Sequence, residues 1–199
     1  MKHTTIMFLL FLAGCFPAPT DTTMPARKGM GHYDHRITPY INEQMGGDGW
    51  WRHLGYEDVM ERLRNHPPGY RRAFCIYISD ADIDNGGFDQ YFYNQFGFMT
   101  MTAIEGYERL GATHMIEIIK SALYVCRKSH PDLWGRNHFE DLPDGYFEGF
   151  VPIADNFDEL NSLYYEESNR LPGSEDVDSV MADGPMDYYY ENFPEDFRR

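Results

Sequence analysis

Apolar side chains recur at helical spacing along this chain, and that periodicity restricts its fold more than any other feature. The clearest stripe has apolar residues three and four positions apart: Met115, Ile118, Ile119, Ala122, Leu123 and Cys126. This spacing places all of these side chains on one face of an α-helix. The sequence has no internal repeat and no alternating run of β-branched residues, which would indicate a strand. We therefore predict an all-α fold in a compact multi-helix domain.

Other stripes of the same period give the expected order of the helices. Their apolar faces run between these residues: Tyr56 and Leu63, Phe74 and Ala81, Phe88 and Phe96, Met99 and Leu110, and Phe157 and Tyr164. Shorter helices are expected from Thr38 to about Gln44, from Ser174 to about Met181 and from Asp187 to Phe193. Asn156 and Glu159 form a capping-box pattern, and Gly111 suits a helix end. From Arg127 to Asp155 the periodicity is lost, and we expect a long loop whose aromatic residues pack on the core.

The negative charge is concentrated in the last third of the chain. Residues 132–199 contain 18 Asp and Glu but only 4 Lys and Arg, and the whole chain has a formal net charge of −15. A basic face that would bind nucleic acid or an anionic membrane is therefore not expected. The acidic third is either a solvated surface that aids solubility or an electronegative surface that receives a basic partner. The candidate residues of such an interaction surface are Glu140, Asp141, Asp144, Glu148, Asp158, Glu159, Glu166, Glu167, Glu175, Asp176 and Asp178.

The N-terminus has the pattern of an export signal. A positive start precedes an apolar run from Ile6 to Leu12, which is too short to span a bilayer as a helix. Leu12-Ala13-Gly14-Cys15 resembles the bacterial lipobox, which implies cleavage before Cys15 and lipid attachment to that residue. We expect a lipoprotein signal peptide at 1–14, a flexible tether at 15–36 and the helical domain at 37–199. The expected location is the cell envelope, at the outer membrane or cell surface; a misassigned start codon would make it the cytoplasm.

The sequence offers no pattern typical of a metal site, a cofactor site or a catalytic centre. It lacks a CxxC pair, an HExxH helix, a glycine-rich phosphate loop and a G-x-S-x-G elbow. The spacing of Asp80, Asp82 and Asp84 is similar to a calcium loop, but Asn85 replaces the required glycine and Tyr91 the bidentate glutamate. We therefore expect no metal and no cofactor. Two cysteines, Cys75 and Cys126, are predicted to be buried thiols, with a disulfide in an oxidising compartment as the alternative.

The most distinctive segment is Asn85-Gly86-Gly87-Phe88. The two glycines are predicted to break one helix and begin the next, because they lack side-chain bulk and tolerate positive φ. In the second helix Gln90 and Asn94 lie one turn apart. Their amides are expected to hydrogen-bond each other or to cap neighbouring helix ends.

This segment resembles the signature Asn-Gly-Gly-Phe-x-Gln-aromatic-Phe-x-Asn of a domain family named after a bacterial DNA-mimic protein. The matching residues, for which we expect a structural role, are Asn85, Gly86, Gly87, Phe88, Gln90, Tyr91, Phe92 and Asn94, followed by Gly97. The resemblance implies an all-helical, often dimeric domain without known catalytic residues, so a homodimer stays open. It also implies that acidic side chains can stand in for DNA phosphates and occupy a DNA-binding protein, as in the founding member.

These observations favour binding over catalysis. We expect a lipid-anchored, non-catalytic module whose acidic surface docks a basic protein surface, one version being an immunity-type lipoprotein that neutralises a cationic toxin. It would contact the membrane only through the lipid on Cys15 and would not bind nucleic acid directly. Two alternatives stay open: a DNA mimic in the cytoplasm, and an uncharacterised hydrolase that depends on Gln90 or Asn94.

Overall fold

A computed structural model of the protein describes residues 43–46, 54–94, 96–137, 139, 142–174 and 183–198. Within these ranges every regular element is helical, which confirms the all-α fold class. The α-helices are α1 (Tyr56–Arg64), α2 (Pro68–Tyr93), α3 (Thr100–Leu110), α4 (Thr113–Ser129), α5 (Pro131–Arg136), α6 (Phe157–Ser168) and α7 (Asp183–Asn192). Short 3-10 helices follow α2 and α7, at Phe96–Met99 and Pro194–Phe197.

The helix ends follow the local chemistry of the sequence. Pro68 opens α2 at a position where its missing N–H costs no hydrogen bond. Gly111 ends α3 in the left-handed region, with φ of 71°. The side chain of Asn156 caps α6 by accepting a hydrogen bond of 2.9 Å from the Glu159 backbone N–H. The predicted helix ends at Gly111 and Asn156 are confirmed.

Several predicted boundaries differ from the structure, among them the end of the Phe88–Phe96 face, since α2 ends at Tyr93 and Phe96 begins a 3-10 helix. Helix α5 lies inside the segment predicted as a loop, since six residues are too few to show a helical period in the sequence. Helix α7 begins at Asp183 rather than at Asp187. The predicted signal peptide at 1–14, Cys15 and the tether at 15–36 lie outside the described residues, as does most of the helix predicted from Ser174.

Helix α2 is the central element, and it contacts α3, α5, α6, α7 and the last 3-10 helix. Behind it lies an aromatic core, in which Phe92 and Tyr164 are fully buried. The Phe88 ring lies 5.6 Å from the Tyr164 ring and 6.2 Å from the Phe157 ring, centroid to centroid. These edge and tilted contacts join α2 to α6 and fix the position of α6 on the fold.

Several properties of the described ranges bear on the function. None of their helices is long and apolar enough to cross a membrane. They contain no group of three His, Cys, Asp or Glu side chains that could hold a metal ion. Cys75 and Cys126 are both buried and free, so the predicted thiols are confirmed and no disulfide joins them. Burial raises the pKa of the Cys126 thiol to about 12, which keeps it protonated at neutral pH.

Candidate functional site

The signature segment forms a kink in the middle of α2. Gly86 and Gly87 leave the helical conformation, and Gly87 has φ of 72°. A side chain on Gly87 would overlap the carboxamide of Asn161 in α6, so only glycine allows this close approach. Asn161 Oδ1 accepts a 2.9 Å hydrogen bond from the Phe88 backbone N–H, next to the kink. The predicted break between two helices is confirmed, and it attaches α6 to α2.

The two signature amides do not hydrogen-bond each other. Gln90 Nε2 and Asn94 Nδ2 both donate to Asp82 Oδ1, over 3.2 and 2.9 Å. Asp82 lies on the other side of the kink, and a carboxylate is a stronger acceptor than an amide oxygen. The amides therefore tie together the two halves of α2, and the expected amide–amide bond is absent between these residues.

Two further signature residues, Tyr91 and Gly97, have hydrogen-bond partners inside the protein. Tyr91 Oη lies 2.8 Å from Thr100 Oγ1 and 3.1 Å from Ser79 Oγ. The Gly97 N–H donates to Asn137 Oδ1 over 2.8 Å, and Asn137 Nδ2 donates to the Phe92 carbonyl over 2.8 Å. Asn137 is fully buried, and sequence reasoning missed it because a single Asn in an irregular segment carries no pattern.

A buried chain of polar groups continues from α2 to α6. Tyr164 Oη donates to Asp80 Oδ1 over 2.7 Å, and it lies 3.2 Å from Tyr107 Oη. Burial first, and then the Asp80 charge, raises the pKa of Tyr164 well above its ordinary value. Both hydroxyls therefore stay protonated and act as hydrogen-bonding groups within the core.

A second feature is an exposed stretch that we call the acidic segment, residues 144–159. It contains no Lys, Arg or His, and its five carboxylates are all exposed: Asp144, Glu148, Asp155, Asp158 and Glu159. None of them has an ion-pair partner in the parts of the chain that the structure describes. Asp155 was not among the predicted interaction residues, but it lies in the same segment.

The acidic segment is held firmly against α4. The rings of Phe147 and Phe150 lie 5.6 and 6.2 Å from the Tyr124 ring. The Ile153 backbone N–H donates a 3.0 Å hydrogen bond to Ser121 Oγ. Backbone turns at Gly145 and Gly149, both with positive φ, fold the chain between these anchors. The carboxylates are thus presented by an ordered backbone.

The last two carboxylates of the segment lie in the first turn of α6. Asp158 and Glu159 are the second and third residues after the Asn156 cap. Negative charge at this end of a helix is stabilised by the helix dipole, by about 0.3–1 kcal/mol for each group at the surface. The fold therefore tolerates a concentration of like charge here without neutralising it.

Other predicted interaction residues have different surroundings. Glu166 and Glu167 both pair with Arg170, Glu167 over 3.5 Å, so part of their charge is neutralised. This pairing distinguishes Glu166 and Glu167 from the five carboxylates of the acidic segment. Five further candidates lie outside the described residues: Glu140, Asp141, Glu175, Asp176 and Asp178.

The C-terminal acids are paired as well, in what we call the C-terminal clamp: the turn Pro194–Phe197 with Arg72 and Arg109. Asp196 accepts hydrogen bonds from Arg109 Nε over 2.8 Å and from Arg72 over 3.2 Å. Tyr189 Oη donates to the same carboxylate over 2.8 Å. Burial raises the pKa of Asp196, but the bonds from Arg109 and Tyr189 and the two arginine charges outweigh it and hold the pKa below its ordinary 3.8.

One cavity of about 180 Å³ lies beside the acidic segment. It is lined by Arg127, Trp134, Phe139, Leu142, Pro143, Asp144, Gly145 and Tyr146. Neither Gln90 nor Asn94 lines this cavity. The Arg127 guanidinium lies 5.7 Å from the Trp134 ring centroid, which is a cation–π distance.

Comparison with known proteins identifies a family for this sequence. A family model described as DMP19-like protein matches residues 64–182, which is more than half of the chain and includes both the kink and the acidic segment. No curated protein and no solved structure matches the sequence.

Proposed function

This chain belongs to the DMP19-like protein family, and we propose that it is a non-catalytic binding module whose acidic segment docks a basic surface of another protein. The observation that carries the proposal is the set of exposed carboxylates at residues 144–159, which have no ion-pair partner among the described residues. Elsewhere the same structure pairs Glu167 and Asp196 with arginines. Unpaired carboxylates on an ordered backbone are available to pair with the Lys and Arg side chains of another protein.

Electrostatic attraction of this kind acts mainly on the encounter between partners. Clustered like charges attract an oppositely charged surface over a Debye length, about 10 Å at 0.1 M salt. The association rate and the affinity should therefore fall as the salt concentration rises.

Family membership favours one version of this proposal, in which the partner is a DNA-binding protein and the carboxylates occupy the places of DNA phosphates. DNA would then compete with this chain for the partner. A second version follows from the lipobox-like Leu12-Ala13-Gly14-Cys15: a lipid on Cys15 would place the module in the cell envelope, opposite a cationic envelope or extracellular protein. Mass spectrometry of Cys15 and fractionation of the source cells distinguish the two versions.

The test compares two triple variants of the full chain. One removes three carboxylates from the acidic segment: Asp155→Asn, Asp158→Asn and Glu159→Gln. The control removes three exposed carboxylates from α1: Glu57→Gln, Asp58→Asn and Glu61→Gln. Both variants lose the same net charge, and both lose two acids from the first turn of a helix.

Each chain is used to capture proteins from native lysate, the captured protein is identified by mass spectrometry, and its affinity is measured by titration calorimetry at 50 and 300 mM NaCl. We expect a basic partner that binds the segment variant at least tenfold more weakly than the control variant. Equal losses of affinity in both variants would mean that binding depends only on the net charge of the chain. If the segment variant bound as tightly as the unmodified chain, the acidic segment would not be the docking surface and the proposal would be wrong.

A further inference from the structure

Two exposed apolar side chains interrupt the acidic segment. Val151 has 81% of its surface exposed, more than any other large apolar residue in the described part of the chain, and Ile153 has 38%. Between them lies Pro152, and the neighbouring Ala154 is buried. An exposed apolar side chain on a fixed backbone can contribute more to affinity than one on a loose loop, because its backbone loses little conformational freedom on binding.

The backbone that carries these residues is fixed on both sides. Phe150 packs on Tyr124 immediately before Val151, and the Ile153 N–H is bonded to Ser121 Oγ immediately after Pro152. Ser121 Oγ in turn donates to the Glu117 carbonyl over 2.8 Å. The projection of Val151 is therefore a property of the folded chain.

Charges of one sign flank the apolar pair along the chain. Glu148 precedes Val151 by three residues and Asp155 follows it by four, so the backbone of each acid lies at most about 14 Å from the backbone of Val151. On the α4 side, Lys120 and Lys128 lie 5.8 Å from the ring centroids of Tyr146 and Tyr124. Two lysines of α4 thus contact aromatic rings next to the acidic segment, and Asp155, Asp158 and Glu159 follow the apolar pair along the chain.

We propose that Val151 and Ile153 form the apolar centre of the docking surface, and that the partner is a protein with an apolar pocket bordered by Lys or Arg. This inference rests on the proposed function and adds the contact that selects one basic protein among many. Interfaces commonly combine an apolar centre with a polar rim, and a few central residues carry most of the affinity. Charge complementarity alone attracts any cationic surface, whereas Val151 requires a matching cavity.

Val151→Asp separates the two contributions because they predict opposite signs. The substitution adds a negative charge to the acidic segment, so a purely electrostatic surface would bind a basic partner more tightly. An apolar centre would be destroyed, and affinity would fall. At 81% exposure the change should leave the thermal midpoint of the folded chain unchanged, which is checked first.

The partner is first identified by photo-crosslinking. Val151 is replaced by the photo-reactive residue benzoylphenylalanine in the full chain, and the same replacement at Tyr93 serves as the control. Tyr93 is 64% exposed and lies outside the acidic segment. Illumination in native lysate should capture a basic protein from position 151 and not from position 93. The captured protein is then purified and titrated against Val151→Asp and the matched control Tyr93→Asp.

We expect Val151→Asp to bind at least tenfold more weakly and Tyr93→Asp to bind as the unmodified chain does. Unchanged or tighter binding of Val151→Asp, combined with weaker binding of the segment triple variant, would overturn this inference and leave the proposed function in place. No effect of either variant would overturn both. The inference would also be overturned if position 151 crosslinked to a lipid or to a second copy of this chain, or if it captured no basic protein.

Discussion

The acidic segment and the C-terminal clamp belong to the same acidic third of the chain, but their carboxylates have opposite surroundings. In the clamp, Asp196 receives two arginines and a tyrosine hydroxyl and is largely withdrawn from solvent. In the acidic segment, Asp158 and Glu159 are exposed and have no cation among the described residues. The first region uses charge to hold the fold together, and the second presents charge to the surroundings.

The difference shows that charge counted along a sequence is not the charge a surface presents. Residues 132–199 hold only four basic side chains, which suggests an unneutralised region. The cations of the clamp, Arg72 and Arg109, come instead from the almost neutral first two thirds, since α2 and α3 bring them to the C-terminal turn. Folding therefore divides one acidic region into a neutralised part and a part that stays available.

The largest effect in this comparison is expected from the apolar contacts of the clamp. Phe197 is buried, and its ring lies 5.2 Å from the rings of Tyr70 and Tyr189. It also fills the space beside Gly69. Phe197→Ala should lower the free energy of unfolding by about 3 kcal/mol, through lost burial and the cavity left behind.

Val151→Ala in the acidic segment is the matched control, and it should change that free energy by less than about 0.5 kcal/mol because Val151 is exposed. Urea unfolding followed by circular dichroism measures both. Similar losses for the two variants would mean that the clamp is no more a structural element than the acidic segment.

A smaller effect is expected from the clamp charge, and it depends on pH. Asp196→Asn removes a charged acceptor of four hydrogen bonds, and we expect a loss of about 1–2 kcal/mol at pH 7 after allowance for the partly exposed Arg109. The pKa of Asp196 is lowered in the folded state, so its contribution is present above its ordinary pKa of 3.8 and disappears as pH falls through the lower folded value.

The stability of the unmodified chain should therefore converge on that of Asp196→Asn below about pH 4. Asp158→Asn serves as the control, since Asp158 has no cation to lose among the described residues. Unfolding titrations from pH 7 to pH 2 provide the measurement. If the stabilities of the unmodified chain and of Asp196→Asn differed by a constant amount across this range, the stabilising role of the Asp196 charge would be contradicted.

Local signals in the sequence were sufficient for most of the fold. The Gly86-Gly87 break and the Asn156 cap depend on neighbouring residues only, and both are confirmed. The contacts of Asp82 with Gln90 and Asn94 were not predicted, because the bend angle of the kink decides which groups meet. Asn137 and the clamp were missed for a similar reason: their partners are about 40 or more residues away in sequence.

The sequence identifies the acidic residues of the last third, but it does not show which of them the fold pairs with cations. Asp144, Glu148, Asp158 and Glu159 lie in the acidic segment as exposed groups, whereas Glu166 and Glu167 share Arg170. The apolar Val151 carried no signal, since a valine in an aromatic-rich loop reads as a core residue. Exposure at that position follows from the turns at Gly145 and Gly149 and the anchors at Tyr124 and Ser121, which only the folded chain brings together.

The smallest effect on stability is expected from neutralising the acidic segment itself. In the triple variant Asp155→Asn, Asp158→Asn and Glu159→Gln, the lost helix-dipole interaction of two groups is opposed by relief of repulsion among neighbouring carboxylates. The free energy of unfolding should change by less than about 1 kcal/mol. Retention on an anion-exchange resin should nevertheless fall, because a resin responds to the densest patch of one charge.

The α1 triple variant, Glu57→Gln, Asp58→Asn and Glu61→Gln, loses the same charge. Its substitutions lie in a helix that also contains Arg62 and Arg64 in its last turn. This variant should therefore elute at a higher salt concentration than the segment variant, with both compared in one gradient. Identical elution would mean that the acidic segment presents no more charge density than α1, and the contrast with the C-terminal clamp would then lose its functional meaning. Earlier elution of the segment variant, at almost unchanged stability, is the combination expected of carboxylates that the fold does not use.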